Sequence, residues 1–494
     1  MRLMASHVLS NRWSNSRRTI ALVLFVAGMT AACGDGSSKG SEGHDRTRDI
    51  SVTSDVPAAS AAGTADAGRA AATLFPLKVD SNGRLLVDQR GAPFLLQGDA
   101  AWGLIAAATA EQAEQYLENR RRKGFNAVMV RLLEHKFAAN PPRNTDGQRP
   151  FTTAGDFSTP SEAYFAHVDW VIRRAAEKGI LVLLAPAYLG YHGGDEGWYV
   201  EMMANGTTKL RDYGRYLGNR YKDFANILWV DAGDYNPPNP EIVRAVALGI
   251  LDNDTVHLHT AHCGRRNSAM DCFPNESWLT VNASYTSFIT YEAVLNDYNR
   301  TRFKPFFLLD AQYENENGST PSTLRSQAYW ALLSGAQGQL FGNNPVWAFQ
   351  GPSLYPSPYS WSRGLDGQGS QDMTRVTALF APRRWYDLVP DRSHRVVTGG
   401  FGTFGSSDYV TSAYTADGRL VMAYVPSTGT GARSLSVDMS RLARQMQGRW
   451  YNPTSGAYTT IEGSPFANAG SRNFVTPGGN GTGAGDWALI LEAP

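Results

Sequence analysis

Residues 164–188 read YFAHVDWVIRRAAEKGILVLLAPAY. The first sixteen carry apolar side chains at helical spacing and close on Gly179, a usual helix stop. The nine that follow form a near-continuous apolar run, as a parallel strand buried on both faces does. A helix feeding such a strand is half of a βαβ unit, and the same alternation extends in both directions.

Upstream, a short strand at 94–96 ends in Gly98-Asp99, a helix covers 111–124 up to Gly124, and AVMVRLL forms a strand at 127–133. Downstream, a helix within 196–224 precedes the strand NILWVDAGD (226–234), and a helix at 241–251 follows. Further strands are expected at 256–263, 279–285, 305–314 and 338–344, with helices at 291–300 and 324–336. Eight strands alternating with helices over about 300 residues fit a (β/α)8 TIM barrel. A doubly wound open sheet is the alternative. It would carry a Gly-rich phosphate loop after its first strand, and the sequence has none there.

The pattern changes near residue 393. YVTSAYT, RLVMAYV, SLSVDM and WALILEA are short strands set among Gly, Ser, Thr, Asn and Pro, which reads as a C-terminal antiparallel β-sandwich. The N-terminus differs again. Arg12, Arg17 and Arg18 precede an apolar run at 20–27 and a small-residue stretch ending in Cys33. The run is shorter than the roughly 20 residues of a membrane-spanning helix. It reads as a signal peptide of lipoprotein type over 1–32, with Cys33 lipidated. A Gly-, Ser- and Ala-rich linker follows over 33–72. The expected domains are thus a barrel at 73–392 and a sandwich at 393–494, in an exported lipoprotein of the outer membrane.

The 494 residues hold 46 Lys+Arg against 45 Asp+Glu, a formal charge of +1. That excludes bulk-charge binding of nucleic acid. Hydrophobic residues at 42% and charged ones at 18% exclude a disordered chain. Three cysteines exclude a disulfide-dense scaffold. With Cys33 assigned to the lipid, Cys263 and Cys272 are expected to form a disulfide in an exported protein. A metal site is the competing reading, because His257, His259 and His262 lie close by. No recognised zinc spacing is present, and neither metal nor cofactor is called for.

In a TIM barrel the carboxyl ends of the strands build the active site. Those ends carry Asp99, Arg131, Glu134, Tyr188, Asp231, Asp234, His262, Tyr285, Asp310, Glu314, Asn343 and Trp347. Recurrent carboxylates among aromatic rings suit glycoside hydrolysis, which needs one carboxyl to protonate the leaving oxygen and another to attack or to activate water. Each residue has a plainer reading as well. Asp99 can bond backbone, Arg131 can pair with a buried carboxylate, Glu134 can be a solvated loop residue, Asp231 can be structural, and His262 can cap the disulfide loop. A protease is disfavoured, since neither His-Glu-x-x-His nor Gly-x-Ser-x-Gly occurs.

Seven segments in order, GDAAWGL (98–104), YLENRRRKGFNAVMV (116–130), YFAHVDWVIRRAAEKGI (164–180), NRYKDFANILWVDAGD (219–234), TAHC (260–263), KPFFLLDAQYE (304–314) and SQAYWALLSGAQGQLFGNNPVW (326–347), resemble the apiosidase-like catalytic domain of glycoside hydrolase family 140. The tail, with GRLVMAYVPS, GRWYNPTSGAY and GAGDWALILEA, is similar to the collagen-binding-type β-domain that usually follows it. The resemblance implies a TIM barrel, a β-sandwich, and release of sugar from a plant or microbial polysaccharide.

The resemblance also implies roles. Asp234 of WVDAGD takes the position of the family's acid/base. Asp310 of LDAQYE takes that of its nucleophile, where the family has Glu. Asp99, Trp102, Arg131, Glu134, His262, Tyr285, Tyr313, Glu314 and Trp347 are the expected substrate binders. Asp is one methylene shorter than Glu, and a displacement of about 1 Å can cost roughly 100-fold in rate. Three outcomes stay open: the backbone compensates and Asp310 attacks with retention, Glu314 or another carboxylate takes over, or water attacks with inversion. A catalytically weak glycan-binding lipoprotein and a matrix-binding surface protein are the other functions to separate.

Overall fold

The computed structural model describes residues 74–287 and 289–494. The expected signal peptide, the Cys33 lipidation and the whole of the expected linker lie outside the described residues. A two-stranded hairpin, β1 (Lys78–Val79) and β2 (Leu86–Val87), opens the described chain.

Eight parallel strands follow: β3 (Leu96–Ala100), β4 (Ala127–Arg131), β5 (Leu181–Ala185), β6 (Ile227–Ala232), β7 (His259–His262), β8 (Asn282–Tyr285), β9 (Phe306–Asp310) and β10 (Gly338–Phe341). Their order is β7-β6-β5-β4-β3-β10-β9-β8. The remaining seam, between β7 and β8, is bridged where Thr280 N–H donates to the His259 carbonyl at 3.0 Å. The sheet is thus a nearly closed barrel. The chain between β7 and β8 carries the loop whose ends, Cys263 and Cys272, are joined by a disulfide.

Local sequence sets the helices. Helix Ala110–Arg122 starts at a capping box, Thr109 accepting from Gln112 N–H and Gln112 accepting in return. Gly124 and Gly179 follow the ends of helices Ala110–Arg122 and Glu162–Glu177 with φ of 76° and 68°, a left-handed stop open to glycine at little cost. Every residue of β5, Leu181–Ala185, is buried, because the barrel interior covers one face and the helix layer the other.

The C-terminal sandwich pairs a six-stranded sheet with a three-stranded one. Its strands are β11 (Leu388–Pro390), β12 (Val397–Gly399), β13 (Thr411–Thr415), β14 (Leu420–Val425), β15 (Ser434–Asp438), β16 (Gln447–Tyr451), β17 (Tyr458–Thr460), β18 (Ser471–Val475) and β19 (Trp487–Glu492). The first sheet has the order β11-β13-β14-β19-β16-β17, the second β12-β15-β18. β11 (Leu388–Pro390) pairs with β13 (Thr411–Thr415), so the sandwich's first strand begins before residue 393. β14 (Leu420–Val425) reads LVMAYV and is buried at every position. Val421, Ala423 and Val425 fill the sandwich core, while Leu420, Met422 and Tyr424 pack on barrel helices. The second layer explains an apolar run where one solvated face would have produced alternation.

This junction has a polar centre. Arg325, 1% exposed, donates to Asp486 of the sandwich at 2.7 and 2.8 Å and to Asp372 of the barrel at 2.8 Å. Beside it the Tyr329 and Tyr424 rings stack 4.5 Å apart.

Candidate active site

The strand ends open onto a cavity of about 360 Å³. Among the expected site residues, Trp102, Arg131, Asp234, His262, Tyr285, Asp310, Tyr313 and Trp347 line it.

Asp234 reaches the cavity through an unusual reversal. After β6, Ala232, Gly233 and Asp234 have φ of 65°, 147° and 50°. A Cβ on Gly233 would lie 2.4 Å from the Tyr188 ring, so only glycine fits there. Positive φ at Ala232 and Asp234 is backbone strain of the kind held at functional sites. Asp234 Oδ1 is buried without a hydrogen-bond partner among the described residues. Burial pushes its carboxyl up to about 6, and the charge on Asp310 adds to the rise against the lowering effect of His262.

Asp310 ends β9 and is 7% exposed. Its Oδ1 accepts Ala311 N–H at 2.8 Å, and its Oδ2 lies 3.3 Å from His262 Nε2. His262 stacks on Trp102, the rings 5.5 Å apart and 21° from parallel. Trp102 Nε1 donates to the Tyr313 hydroxyl at 3.0 Å. The Arg131 guanidinium sits 4.2 Å from the Tyr188 ring centre and 4.9 Å from that of Trp102. These contacts fix a wall of aromatic faces around two carboxyls, the surface a sugar ring would stack against.

Three expected binders lie elsewhere. Asp99 is fully buried and faces the helix layer, where Arg120 Nε and the Tyr116 hydroxyl donate to its Oδ2 at 2.6 and 2.5 Å. It is a packing ion pair. Glu134 is 1% exposed. Its Oε1 accepts N–H groups from His135, Lys136 and Phe137 at 2.8–3.0 Å, and its Oε2 holds Arg131 at 3.0 Å. It organises a loop and orients Arg131. Glu314 spends one oxygen on Asn343 Nδ2 at 2.5 Å and the other on Gly369 N–H at 2.8 Å, behind the cavity wall. Glu134 and Glu314 thus have both oxygens engaged by protein donors, while Asp99 holds two donors on Oδ2 and its buried Oδ1 has no hydrogen-bond partner among the described residues.

Two of the three histidines considered for metal are engaged by carboxylates, and the third, His262, faces the cavity. His257 Nδ1 lies 2.7 Å from Asp254, and His259 Nδ1 lies 2.8 Å from Asp231. Asp231 is therefore structural. Among the described residues no group of three or more His, Cys, Asp or Glu could hold a metal ion.

Glu196, Arg265 and Glu316 line the cavity and were not expected there. Glu316 Oε1 accepts Trp347 Nε1–H at 2.8 Å, and burial pushes its carboxyl up to about 7. Each lies on a loop beyond its strand end, where neither apolar period nor strand position gives a signal. For Glu316 the one sequence cue is the Asn- and Gly-rich stretch NENGS (315–319), which marks a turn able to swing a side chain back.

Residues 80–387 match the family model described as "Apiosidase-like, catalytic domain". Residues 389–492 match the one described as "Putative collagen-binding domain of a collagenase". No curated protein matches the chain in sequence. A solved structure described as a glycoside hydrolase is similar, with a TM-score of 0.73 at 25% identity, over 84% of this chain and 96% of that one. A crystal structure of a glycoside hydrolase family 5 protein from Bacteroides vulgatus ATCC 8482 gives a TM-score of 0.74 at 23% identity, over 84% and 93% of the two chains. The second likeness speaks for the fold alone. The first family match spans the whole barrel together with the carboxyl-bearing cavity, and the chain is a glycoside-hydrolase-like protein that belongs to the apiosidase-like catalytic domain family.

Proposed function

We propose that the protein is a retaining O-glycosidase acting on a plant or microbial polysaccharide, with Asp234 as acid/base and Asp310 as nucleophile. The observation that carries this reading is one cavity holding two carboxyls of unequal character. Asp234 is half-buried, with its Oδ1 shielded from solvent, and keeps its proton to about 6. Asp310 has one oxygen on a backbone N–H and the other beside His262. Unequal environments of this kind separate a proton donor from an anionic partner.

In the first step an Asp310 oxygen bonds to the anomeric carbon while the bond to the leaving oxygen breaks. That oxygen takes the Asp234 proton. In the second step water bonds to the anomeric carbon, its proton passes to Asp234, and the bond to Asp310 breaks. Retention asks for a carboxyl separation of about 5–5.5 Å. The anomer first formed, read by proton NMR, tests it: an inverted product would replace attack by Asp310 with attack by water.

The test of the activity is a glycan panel incubated with wild type, Asp234→Asn and Asp310→Asn, with products read by mass spectrometry. Release by wild type and loss in both variants supports the assignment. Loss in Asp234→Asn alone moves the nucleophile elsewhere. A catalytically weak glycan-binding protein is the second reading. It is favoured by Asp310 standing one methylene short of the family's Glu, and it expects binding without release by any of the three proteins.

We also propose that Cys33 carries a lipid and holds the enzyme at the outer membrane. No helix among the described residues is long and apolar enough to cross a membrane. Metabolic labelling with a fatty-acid analogue should tag wild type and spare Cys33→Ala, and equal labelling would remove the anchor.

A further inference from the structure

Hydrolysis by the pair above needs two carboxyls, and the cavity has more. Glu196 and Glu316 also line it. Glu196 stands 3.9 Å from Lys136 Nζ. Glu316 has no ion pair among the described residues, and its only side-chain partner there is the Trp347 indole N–H, on Oε1. Oε2 keeps both lone pairs and Oε1 keeps one.

A turn of left-handed residues brings Glu316 to the cavity. Asn315, Asn317 and Gly318 have φ of 64°, 51° and 70°. The turn is tied by Glu316 N–H to the Tyr313 carbonyl and by Ser319 N–H to the Glu316 carbonyl, at 3.3 and 2.9 Å. Asn and Gly take the left-handed region at little cost, and the turn they build places Glu316 at the cavity lining. An uncharged acceptor would hold the Trp347 indole equally well. A carboxyl placed in a cavity at the expense of its hydration suits a partner that arrives with donors.

We propose that Glu316 contacts substrate, its carboxylate accepting vicinal hydroxyls of a neutral sugar seated beside the Trp347 ring, and that this position rejects a uronate. The exclusion follows from charge. Glu316 shares the cavity with Asp234 and Asp310. Of the two lining guanidiniums, Arg131 is already paired with Glu134 at 3.0 Å, which leaves Arg265. A sugar carboxylate would join the Glu196, Glu316, Asp310 and Asp234 carboxyls around one unmatched cation, where like charges cost most in a partly buried site.

This inference rests on the glycosidase reading, and the test separates the two. On the best glycan of the panel, kcat and KM are measured for the full chain, Glu316→Gln and Glu316→Ala, with matched neutral and uronate oligosaccharides. Glu316→Ala should raise KM for the neutral sugar roughly 10- to 100-fold, the loss of a charged hydrogen bond. Its kcat should change less than about tenfold.

Glu316→Gln keeps the shape and an acceptor for Trp347. It should recover only part of KM and should narrow the preference over the uronate. The groups that face Glu316 are the Trp347 indole, Asp310 and Arg265. Its carboxyl gains acceptor strength as it ionises, so wild-type KM should fall as pH rises through about 7, and Glu316→Gln should lose that inflection. A Gln variant identical to wild type in KM, preference and pH profile overturns the inference while hydrolysis stands, leaving Glu316 as a hook for Trp347. A panel on which nothing is released or bound overturns both readings.

Discussion

Replacing Asp234 by Asn should make the protein less active and more stable, and the second effect should depend on pH. The Asp234 carboxyl rises from its ordinary 3.8 to about 6, chiefly through burial. At about 1.4 kcal/mol per pH unit this difference is about 3 kcal/mol held against the carboxylate. The folded protein binds the proton more tightly than the unfolded chain does. The group therefore weighs nothing on stability below about pH 4 and its full amount above about pH 6. Asn has no charge to bury. Urea unfolding of Asp234→Asn should match wild type near pH 4 and exceed it by up to about 3 kcal/mol at pH 8.

Activity should move the other way. Loss of a general acid costs about 10²- to 10⁴-fold. Wild-type kcat/KM should fall about tenfold per pH unit above about 6, and that limb should vanish in the variant. Substrates with an activated leaving group, which needs no proton, should lose least. An equal stability gain at pH 4 and pH 8 would refute the burial argument. An unchanged alkaline limb in Asp234→Asn would refute its role as proton donor.

Asp310→Asn should abolish turnover while leaving glycan binding within about threefold, since a neutral amide cannot form the glycosyl ester; turnover above about a tenth of wild type would return the nucleophile to another carboxyl. Asp99→Asn should lower stability by about 3 kcal/mol, because Arg120 loses its buried counter-charge, with KM unchanged. A raised KM at unchanged stability would restore Asp99 as a binder. Arg325→Met should cost about 3 kcal/mol or more by stranding Asp372 and Asp486 at the domain junction. A urea midpoint equal to wild type would show that the two carboxylates find other partners.

Much of the barrel was legible because its signals are local. Gly124 and Gly179 stop helices, Thr109 and Gln112 start one, and Leu181–Ala185 is apolar at every position. Asp234 and Asp310 were legible as carboxyls at strand ends, a place the barrel topology gives to the cavity. Asp99 has the same description in sequence yet turns the other way. Only the position of helix Ala110–Arg122, with Tyr116 and Arg120 waiting on its inner face, settles where it points. Glu134 and Glu314 are likewise at strand ends, and neighbouring N–H and amide donors claim them before any substrate can.

The sequence by itself determined the succession of barrel and sandwich and the family, because periodicity, helix stops and ordered segments are written along the chain. Which carboxyls face the cavity was decided only by tertiary structure. A side chain's direction there depends on loop turns such as Ala232–Asp234 and Asn315–Gly318, and on whether a donor from a distant segment reaches it first. Glu314 and Glu316, two residues apart, show the consequence: one is locked behind the wall by Asn343 and Gly369, and the other is free in the cavity with an oxygen to offer.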